Sequence, residues 1–376
     1  MYSDEFWMQK ALDLAVRGRY TASPNPCVGC VIVKDDQLIG QGFHLRAGTA
    51  HAEINALKNA CRSVEGATVY VTLEPCSHYG RTPPCAKALV EAGVSRVVAA
   101  MKDPNPLVSG KGFKILRDNG IDVRFGVLEE QAEAINLEFL WRMRNALPYI
   151  RLKQAVSLDG NIALGNGASK WITGAQARMD VQICRARSNA ILTTSRTVLA
   201  DDPAMTVRRS ELPELVVDNY PMDELRQPDL VVLDSKASVS PKARIFEERS
   251  RRVFLVVSST SVISRCYPDN CTVITYDGVD GELAGLFRLL AADYSINDLW
   301  VEAGACLTNS LLRQNLFNEY IVYMAPKLLG RDGIHMNHLE QYFSLEQVPC
   351  FSFKQIEKIG DDVNLIVIVG HGTDFH

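Results

Sequence analysis

Four residues near the start of the chain have the types that a catalytic metal site needs. His51 and Glu53 lie two positions apart in the segment AHAEINAL, at the start of a predicted helix. Cys76 follows the apolar run ATVYVTL, and Cys85 follows two prolines, which favour the first position of a helix. Two thiolates and one imidazole are a ligand set that Zn²⁺ accepts, and three protein ligands leave a fourth position for water.

The spacing of His51 and Glu53 gives these two residues different roles. Residues two apart in a helix interior point in different directions, so both cannot bind a metal beside the helix. A metal in front of the helix N-terminus could bind His51, while Glu53 reaches the water. Zinc lowers the pKa of its water to about 7, and a positioned carboxylate can carry the proton to a leaving amine. The pattern predicts zinc-dependent hydrolysis with His51, Cys76 and Cys85 as ligands.

The elements around these residues are those of an α/β domain. The predicted strands cover 27–34, 37–43, 67–73, 96–101 and 121–127. Asp35 and Asp36 join the first two strands in a hairpin, and the later strands alternate with helices, the last predicted from Glu129 to about Arg144. This alternation predicts a mixed, mostly parallel sheet with helices on both faces, a three-layer α/β/α domain over residues 1–146. Cys76 then lies at the carboxyl edge of the sheet, where such sheets bind ligands.

A second strand–helix series follows a short break before Pro148 and predicts a second α/β domain over residues 147–376. Its predicted strands cover 149–157, 189–193, 230–234, 253–257, 272–276, 298–302, 320–325 and 363–369. The charged segment 208–228 is predicted to be a surface loop. No GxGxxG follows a strand, so a Rossmann nucleotide site has no support. After Glu302 a glycine turn leads into a helix near Cys306, and N–H groups at such a helix start can hold a phosphate.

Composition and charge exclude several classes of function. The chain has 376 residues with 47% hydrophobic and 22% charged residues, as in soluble globular proteins. A net charge of −4 and the absence of a long run of Lys and Arg disfavour nucleic acid as a main partner, and we expect none. No apolar run approaches the ~20 residues that span a bilayer, and the acidic start is unlike a signal peptide. We therefore expect no membrane partner and a cytoplasmic location.

Ten cysteines without an export signal indicate free thiols rather than a disulfide framework. Cys27 and Cys30 have the Cys-x-x-Cys spacing that can bind metal or do redox chemistry. Cys30, however, lies within an apolar strand-like run, and no second pair is near in sequence. We expect ordinary packing for this pair. His78 is an alternative zinc ligand because it lies beside Cys76.

Four motifs of the first half resemble the deaminase half of the bifunctional riboflavin-biosynthesis family. They are PNPCVGCVIV, HAEINAL, VTLEPCSHYGRTPPC and DPNPLVSGKG. Zinc nucleobase deaminases carry His-x-Glu and then Pro-Cys-x-x-Cys, whereas eight residues separate the two cysteines here, as in that family. The resemblance implies a cytidine-deaminase-like fold. It also implies a pocket for a pyrimidine and its ribose phosphate, lined by Asn25, His44, His78 and Arg81. An arginine suits phosphate because its planar fork matches the phosphate oxygens.

Five motifs of the second half resemble the reductase half of the same family. They are KQAVSLDGNIA, SKWITG, TVLADDPAMTVR, VEAGACL and YMAPKLLG. This implies a dihydrofolate-reductase-like fold, NADPH as cofactor, and Lys153 and Asp201 as residues that assist hydride transfer. The residues implied to contact the cofactor are Ala155, Trp171, Thr197, Asp201, Gly304, Ala305, Cys306, Leu307, Thr308, Asn309 and Ser310. Those implied to contact substrate are Ser169, Arg185, Met205, Arg208 and Glu302.

The resemblance implies an enzyme with two active sites and a phosphoribosylaminopyrimidine substrate. The first site would deaminate 2,5-diamino-6-(5-phospho-ribosylamino)pyrimidin-4-one, and the second would reduce the ribosyl to a ribityl side chain. A homo-oligomer is expected from the resemblance. Two alternatives remain at this point: a nucleic-acid editing deaminase, which the acidic balance disfavours, and a deaminase whose C-terminal half is a non-catalytic binding or dimerisation module.

Overall fold

The computed structural model describes residues 2–77, 84–105, 109–278 and 281–369. The chain forms two compact units. The first comprises the residues up to Ala146 together with Asn219–Asp223, and the second comprises Leu147–Asp218 and the residues from Glu224 onward. Across the described ranges, no helix combines the length and the apolar character that crossing a bilayer would take.

The first unit is built on one mixed sheet. Its strands are β1 (Gly29–Lys34), β2 (Gln37–Phe43), β3 (Thr68–Val71), β4 (Arg96–Ala99) and β5 (Asp122–Phe125). Its helices are α1 (Asp4–Val16), α2 (Ala52–Lys58), α3 (Cys85–Glu91), α4 (Lys111–Asp118), α5 (Glu129–Ile135) and α6 (Leu137–Asn145). The strand order is β2-β1-β3-β4-β5, with β1 antiparallel to both neighbours and β3, β4 and β5 parallel. Asp35 and Asp36 both have positive φ, as the tight turn of the predicted hairpin requires.

Helices cover both faces of this sheet, which confirms the predicted three layers. Helices α2, α3 and α4 pack on one face through Ala56, Leu89 and Phe113. Helices α1, α5 and α6 cover the other face, where Met8 and Leu140 are buried. The alternation of strand side chains between these two apolar cores is the pattern expected of a sheet buried on both sides.

The single helix predicted from Glu129 to about Arg144 is wrong, because the structure breaks it at Asn136. This side chain is buried and serves the backbone of a distant segment. Its Oδ1 accepts the N–H of Cys27 at 2.7 Å, and its Nδ2 donates to the Cys27 carbonyl at 3.0 Å. The break therefore ties the end of the first unit to the segment that precedes β1.

The second unit contains a larger mixed sheet. Its strands are β6 (Tyr149–Ser157), β7 (Asn161–Ala163), β8 (Ala190–Thr194), β9 (Asp229–Leu233), β10 (Val253–Val257), β11 (Cys271–Thr275), β12 (Asp298–Glu302), β13 (Glu319–Ala325), β14 (Ile334–His335), β15 (Phe351–Ile359) and β16 (Asp362–Val369). Its helices are α7 (Ala175–Arg187), α8 (Ser195–Asp201), α9 (Glu214–Asp218), α10 (Ala284–Asp293) and α11 (Ala305–Arg313), with 3₁₀ turns at Arg209–Glu211, Arg244–Phe246 and Leu345–Gln347. The nine-stranded order is β11-β10-β9-β8-β12-β6-β13-β16-β15, and β7 pairs with β14 apart from it.

One sequence-based expectation for this unit needs correction, and one long strand was not predicted. The segment 208–228 is not loop throughout, because it holds a 3₁₀ turn and α9, which begins directly after Pro213. The edge strand β15 was not predicted, since the polar segment Lys354–Lys358 interrupts its apolar residues and most of its side chains are exposed. Parallel pairing from β11 through to β13 leaves the carboxyl ends of β9, β8, β12 and β6 side by side at one edge.

Two glycines of β2 allow α2 to lie directly on the sheet. A Cβ at Gly42 would lie 2.5 Å from the Ala56 nitrogen and 2.7 Å from the Ala52 oxygen. A Cβ at Gly40 would lie 2.5 Å from the Ala56 oxygen. These distances are too short for any side chain, so glycine at both positions fixes the height of α2 and with it the position of His51.

We expect Gly42→Ala to lower the free energy of unfolding by about 1–3 kcal/mol, because the added methyl group forces α2 away from β2. Displacement of α2 moves His51, so the bound zinc per chain should fall as well. Thermal melting and metal analysis measure the two effects. Gly281→Ala is the control, since an added Cβ there meets nothing within 4 Å. Unchanged melting and metal content in Gly42→Ala would contradict this account.

Candidate active sites

The three predicted zinc ligands converge, although they come from three separate segments. His51 is the N-cap of α2, Cys76 lies in the segment after β3, and Cys85 is the first residue of α3. His51 Nδ1 lies 3.3 Å from Cys85 Sγ and 3.6 Å from Cys76 Sγ. All three ligand atoms lie within 4.8 Å of one another, and no other such group of three was found among the described residues.

This geometry fits a zinc ion. With Zn–N near 2.0–2.1 Å and Zn–S near 2.3 Å, tetrahedral coordination separates nitrogen and sulfur by about 3.6 Å. The observed separations of 3.3 and 3.6 Å are close to that value. Cys85 is buried, whereas His51 and Cys76 are half-buried. One side of the cluster is therefore reachable, as a catalytic site with an open fourth position requires.

Local electrostatics prepare Cys76 to bind a cation, whereas the hydrogen bond to Cys76 raises the pKa of the Cys85 thiol. A hydrogen bond from the Cys85 thiol lowers the pKa of Cys76 to about 4, and His51 and the Cys85 N–H act in the same direction. The hydrogen bond to Cys76 raises the pKa of His51. A thiolate is the form of cysteine that binds a metal, so Cys76 already has the charge state of a ligand.

Glu53 is the carboxylate of this site. It lies in the first turn of α2, two residues after His51, and only 4% of the residue is exposed. Burial raises the pKa of Glu53 to about 7, and the charge of Cys76 acts in the same direction. A carboxylate with a pKa near neutrality can both accept and release a proton at pH 7.

Asn25 and His44, two of the predicted pocket residues, contact each other beside the metal ligands. His44 is buried, and its Nδ1 lies 3.2 Å from the Ala50 carbonyl, which can only accept a hydrogen bond. Nδ1 therefore carries the proton, and Nε2 accepts from Asn25 Nδ2 at 3.0 Å. Burial lowers the pKa of His44, in keeping with a neutral ring. His78 and Arg81 lie outside the described residues.

The Cys27-x-x-Cys30 pair is not brought to a metal centre. Cys30 is fully buried in β1 within the apolar core beneath α2. Burial raises the pKa of its thiol well above the usual range. All ten cysteines are free thiols in this structure.

Glu74 supports the cysteine segment in a way that the sequence did not reveal. The side chain is buried three residues beyond the end of β3 and two residues before Cys76. Its carboxylate accepts the N–H groups of Asp103, Gly110, Gly112 and Phe113 at 2.9–3.3 Å. The one signal in the sequence was a charged residue between an apolar strand and Pro75.

The second site is a cavity of about 680 Å³ at the shared carboxyl edge of β6, β12, β8 and β9. Most of the predicted reductase residues line it. They are Lys153, Ala155, Ser169, Trp171, Thr197, Asp201, Met205, Glu302, Gly304, Ala305, Cys306, Leu307 and Ser310. Arg178, Arg196 and Ser235 also line the cavity and were not predicted.

Lys153 and Glu302 face this cavity from neighbouring strands. They are directly paired in the parallel register of β6 and β12. Burial lowers the pKa of Lys153, although the Glu302 charge opposes this. Burial by itself would raise the pKa of Glu302, but the Arg185 charge and hydrogen bonds lower it to about 2. Glu302 is therefore ionised at neutral pH.

Four predicted contact residues do not line the cavity. Arg185 lies behind Glu302 and binds its carboxylate in a bidentate pair, with Nε–Oε1 2.6 Å and Nη2–Oε2 2.9 Å. The Trp300 Nε1–H also donates to Glu302, at 2.8 Å. Arg208 forms an ion pair with Glu211, three residues later in the chain. Thr308 is buried against Gln154, and Asn309 accepts a backbone N–H.

We expect Glu74→Gln to weaken zinc retention, because an amide nitrogen would face backbone N–H groups that now share a carboxylate. Losing hydrogen bonds to a charged group costs about 1.5–3 kcal/mol. Competition with a chelator, followed by metal analysis, measures the effect. The exposed Glu65 gives the matched control, Glu65→Gln. Equal zinc retention in wild type and Glu74→Gln would show that Glu74 does not hold the cysteine segment in place.

Comparison with known proteins covers both halves. Residues 1–101 match the family of the cytidine and deoxycytidylate deaminase zinc-binding region, and residues 148–365 match the RibD C-terminal domain. The riboflavin biosynthesis protein RibD of Escherichia coli is 49% identical over 97% of this chain and 99% of its own. That of Haemophilus influenzae is also 49% identical, over 96% of each chain.

Solved structures agree over the full length. Acinetobacter baumannii RibD in form 1 is 42% identical, covers 98% of this chain and 99% of its own, and superposes with a TM-score of 0.86. A deaminase/reductase from Thermotoga maritima is 33% identical with the same coverage and a TM-score of 0.81. These matches confirm the predicted fold classes and the cofactors Zn²⁺ and NADPH. The chain therefore belongs to the family of bifunctional riboflavin-biosynthesis proteins, which join a zinc-dependent deaminase to an NADPH-dependent reductase.

Proposed function

We propose that the first unit deaminates 2,5-diamino-6-(5-phospho-ribosylamino)pyrimidin-4-one and that His51, Cys76 and Cys85 hold the zinc. The observation that carries this proposal is the convergence of one imidazole nitrogen and two sulfurs beside the buried carboxylate of Glu53. The Thermotoga maritima relative is described as a diaminohydroxyphosphoribosylaminopyrimidine deaminase and 5-amino-6-(5-phosphoribosylamino)uracil reductase. That description supports the choice of substrate.

Glu53 moves the protons of this hydrolysis. When bound, zinc lowers the pKa of a water molecule to about 7. Glu53 accepts a proton from the attacking water and delivers it to the amino group, which leaves as ammonia. Glu53 suits both steps because burial raises the pKa of its carboxyl group to about 7. His44 fixes the side chain of Asn25 through their hydrogen bond, so that the Asn25 amide can orient the pyrimidine.

We infer that the second unit reduces the ribosyl side chain of the deaminated product in the cavity at the ends of β6, β12, β8 and β9. NADPH supplies a hydride when bound. The bond from C1′ to the ring oxygen would break, the hydride would bond to C1′, and the released ring oxygen would take up a proton. Lys153 is suited to supply it, because it faces the cavity and its pKa is lowered by burial. Asp201 lies at the end of α8, also in the cavity wall.

The remaining predicted contacts belong to this proposal. Glu302 would bind the substrate, while Arg185 and Trp300 hold its carboxylate in place. Arg208 would approach the substrate only after leaving its present carboxylate partner. The cytoplasmic location and the homo-oligomeric state stay predictions.

We expect Glu53→Gln to keep zinc and to lose deaminase activity by a factor of about 10² or more, because the ligands are untouched and the proton carrier is gone. Ammonia release and metal analysis on the same sample separate the two properties. Cys76→Ala is the comparison, since it should lose both. Ammonia release by Glu53→Gln at a near wild-type rate would refute the role of Glu53.

We expect Lys153→Met to abolish NADPH oxidation, followed at 340 nm with the deaminated substrate, and to leave ammonia release unchanged. Methionine fills much of the same volume without a transferable proton. We expect Asp201→Asn to impair only the reductase as well. Equal loss of deaminase and reductase activity in either variant would indicate misfolding, and unchanged NADPH oxidation would exclude that residue from the reduction.

A further inference from the structure

Four Lys and Arg side chains line the reductase cavity, and three of them already have a partner. Lys153 is paired in register with Glu302, whose negative charge stabilises its ammonium form. Lys170 Nζ lies 3.8 Å from the Asp201 carboxylate, and the Arg178 guanidinium lies 4.6 Å from the ring centre of Trp171. Arg196 differs from them. Among the described residues it has no carboxylate or ring partner, and its Nη1 lies 3.7 Å from Cys306 Sγ.

The position of Arg196 along the cavity indicates which part of a dinucleotide it would meet. Lys153 on β6 and Glu302 on β12 mark the end where the ribose is reduced. Arg196 is on α8, directly after β8, and Ser235 follows β9 at the far end. With strands about 4.8 Å apart, β9 lies roughly 14 Å from β6. A nicotinamide beside Lys153 therefore places the adenosine toward Arg196 and Ser235.

The adenosine end is where NADPH and NADH differ. NADPH carries a 2′-phosphate on this ribose, and NADH carries a hydroxyl. A guanidinium recognises phosphate through charge-assisted, often bidentate hydrogen bonds, and an arginine is a common partner of the 2′-phosphate in other nucleotide folds. Arg196 is exposed to the cavity, so binding a phosphate would break no existing ion pair.

We propose that Arg196 binds the 2′-phosphate of the cofactor and gives the reductase its preference for NADPH over NADH. The inference rests on the proposed placement of NADPH in this cavity. It adds a residue that determines cofactor specificity, and it separates the role of Arg196 from that of the turn at Gly304, where backbone N–H groups at the start of α11 would bind the pyrophosphate.

Direct binding to the full-length chain tests the proposal without turnover. Calorimetric titration with NADPH, NADH, adenosine 2′,5′-bisphosphate and adenosine 5′-monophosphate gives four dissociation constants. In Arg196→Ala we expect the affinity for the two 2′-phosphorylated ligands to fall by about tenfold or more. The affinity for the other two should stay within about twofold, since an uncharged 2′-hydroxyl gains little from a guanidinium.

Arg313→Ala is the matched control, because Arg313 is an exposed arginine of α11 whose partner Glu340 lies 3.5 Å away and which does not line the cavity. It should bind all four ligands as the wild type does. Equal weakening of NADPH and NADH in Arg196→Ala would assign Arg196 to the pyrophosphate and overturn the proposal. Unchanged preference for NADPH would overturn it too. A wild-type chain that fails to bind NADPH would instead overturn the proposed cofactor cavity, and the inference with it.

Discussion

The convergence of His51, Cys76 and Cys85, which we propose bind one zinc ion together, is the feature on which the first site depends. The three side chains come from the N-cap of α2, the segment after β3 and the first residue of α3. The two cysteine sulfurs approach one imidazole nitrogen to 3.3 and 3.6 Å. A zinc ion bound by these three side chains would join the three segments, and metal binding of this kind contributes directly to the stability of a fold.

The residues around this centre hold the ligands through contacts with the backbone. Gly40 and Gly42 let α2 rest on β2, which fixes the N-terminus that carries His51. Glu74 holds the segment of Cys76 by accepting four N–H groups from residues 103–113. A ligand displaced by an ångström changes both metal affinity and the reach of Glu53, so the supporting contacts matter as much as the ligands.

In the second site, too, surrounding residues hold the central group in place, and this group is the carboxylate of Glu302. Glu302 ends β12 and is held by the bidentate Arg185 pair and the Trp300 indole. Hydrogen bonds from these two side chains reach both oxygens, so the carboxylate has one fixed orientation at the cavity. Lys153 meets it in register from β6. The chemistry of this site therefore depends on strand register, since a shift of one residue would turn Lys153 to the other face.

The sequence was informative wherever function depends on local pattern. The hairpin at Asp35 and Asp36, the mixed sheet and the helix starts at His51 and Cys85 all follow from turn residues, period and proline position. The sequence could not show partnerships between distant residues. Glu74 finds its N–H donors some 29 to 39 residues away, and Arg185 finds Glu302 117 residues away. Asn136 broke a predicted helix for the same reason, because its partner Cys27 lies in another segment.

X-ray absorption at the zinc edge of the purified, full-length chain tests the central claim most directly. The account predicts one zinc per chain with a first shell of two sulfurs at about 2.3 Å, one imidazole nitrogen and one light oxygen ligand at about 2.0–2.1 Å. The His51→Ala variant should lose the imidazole contribution. A first shell of four sulfurs, or a wild-type chain that holds no zinc after purification with zinc present, would contradict it.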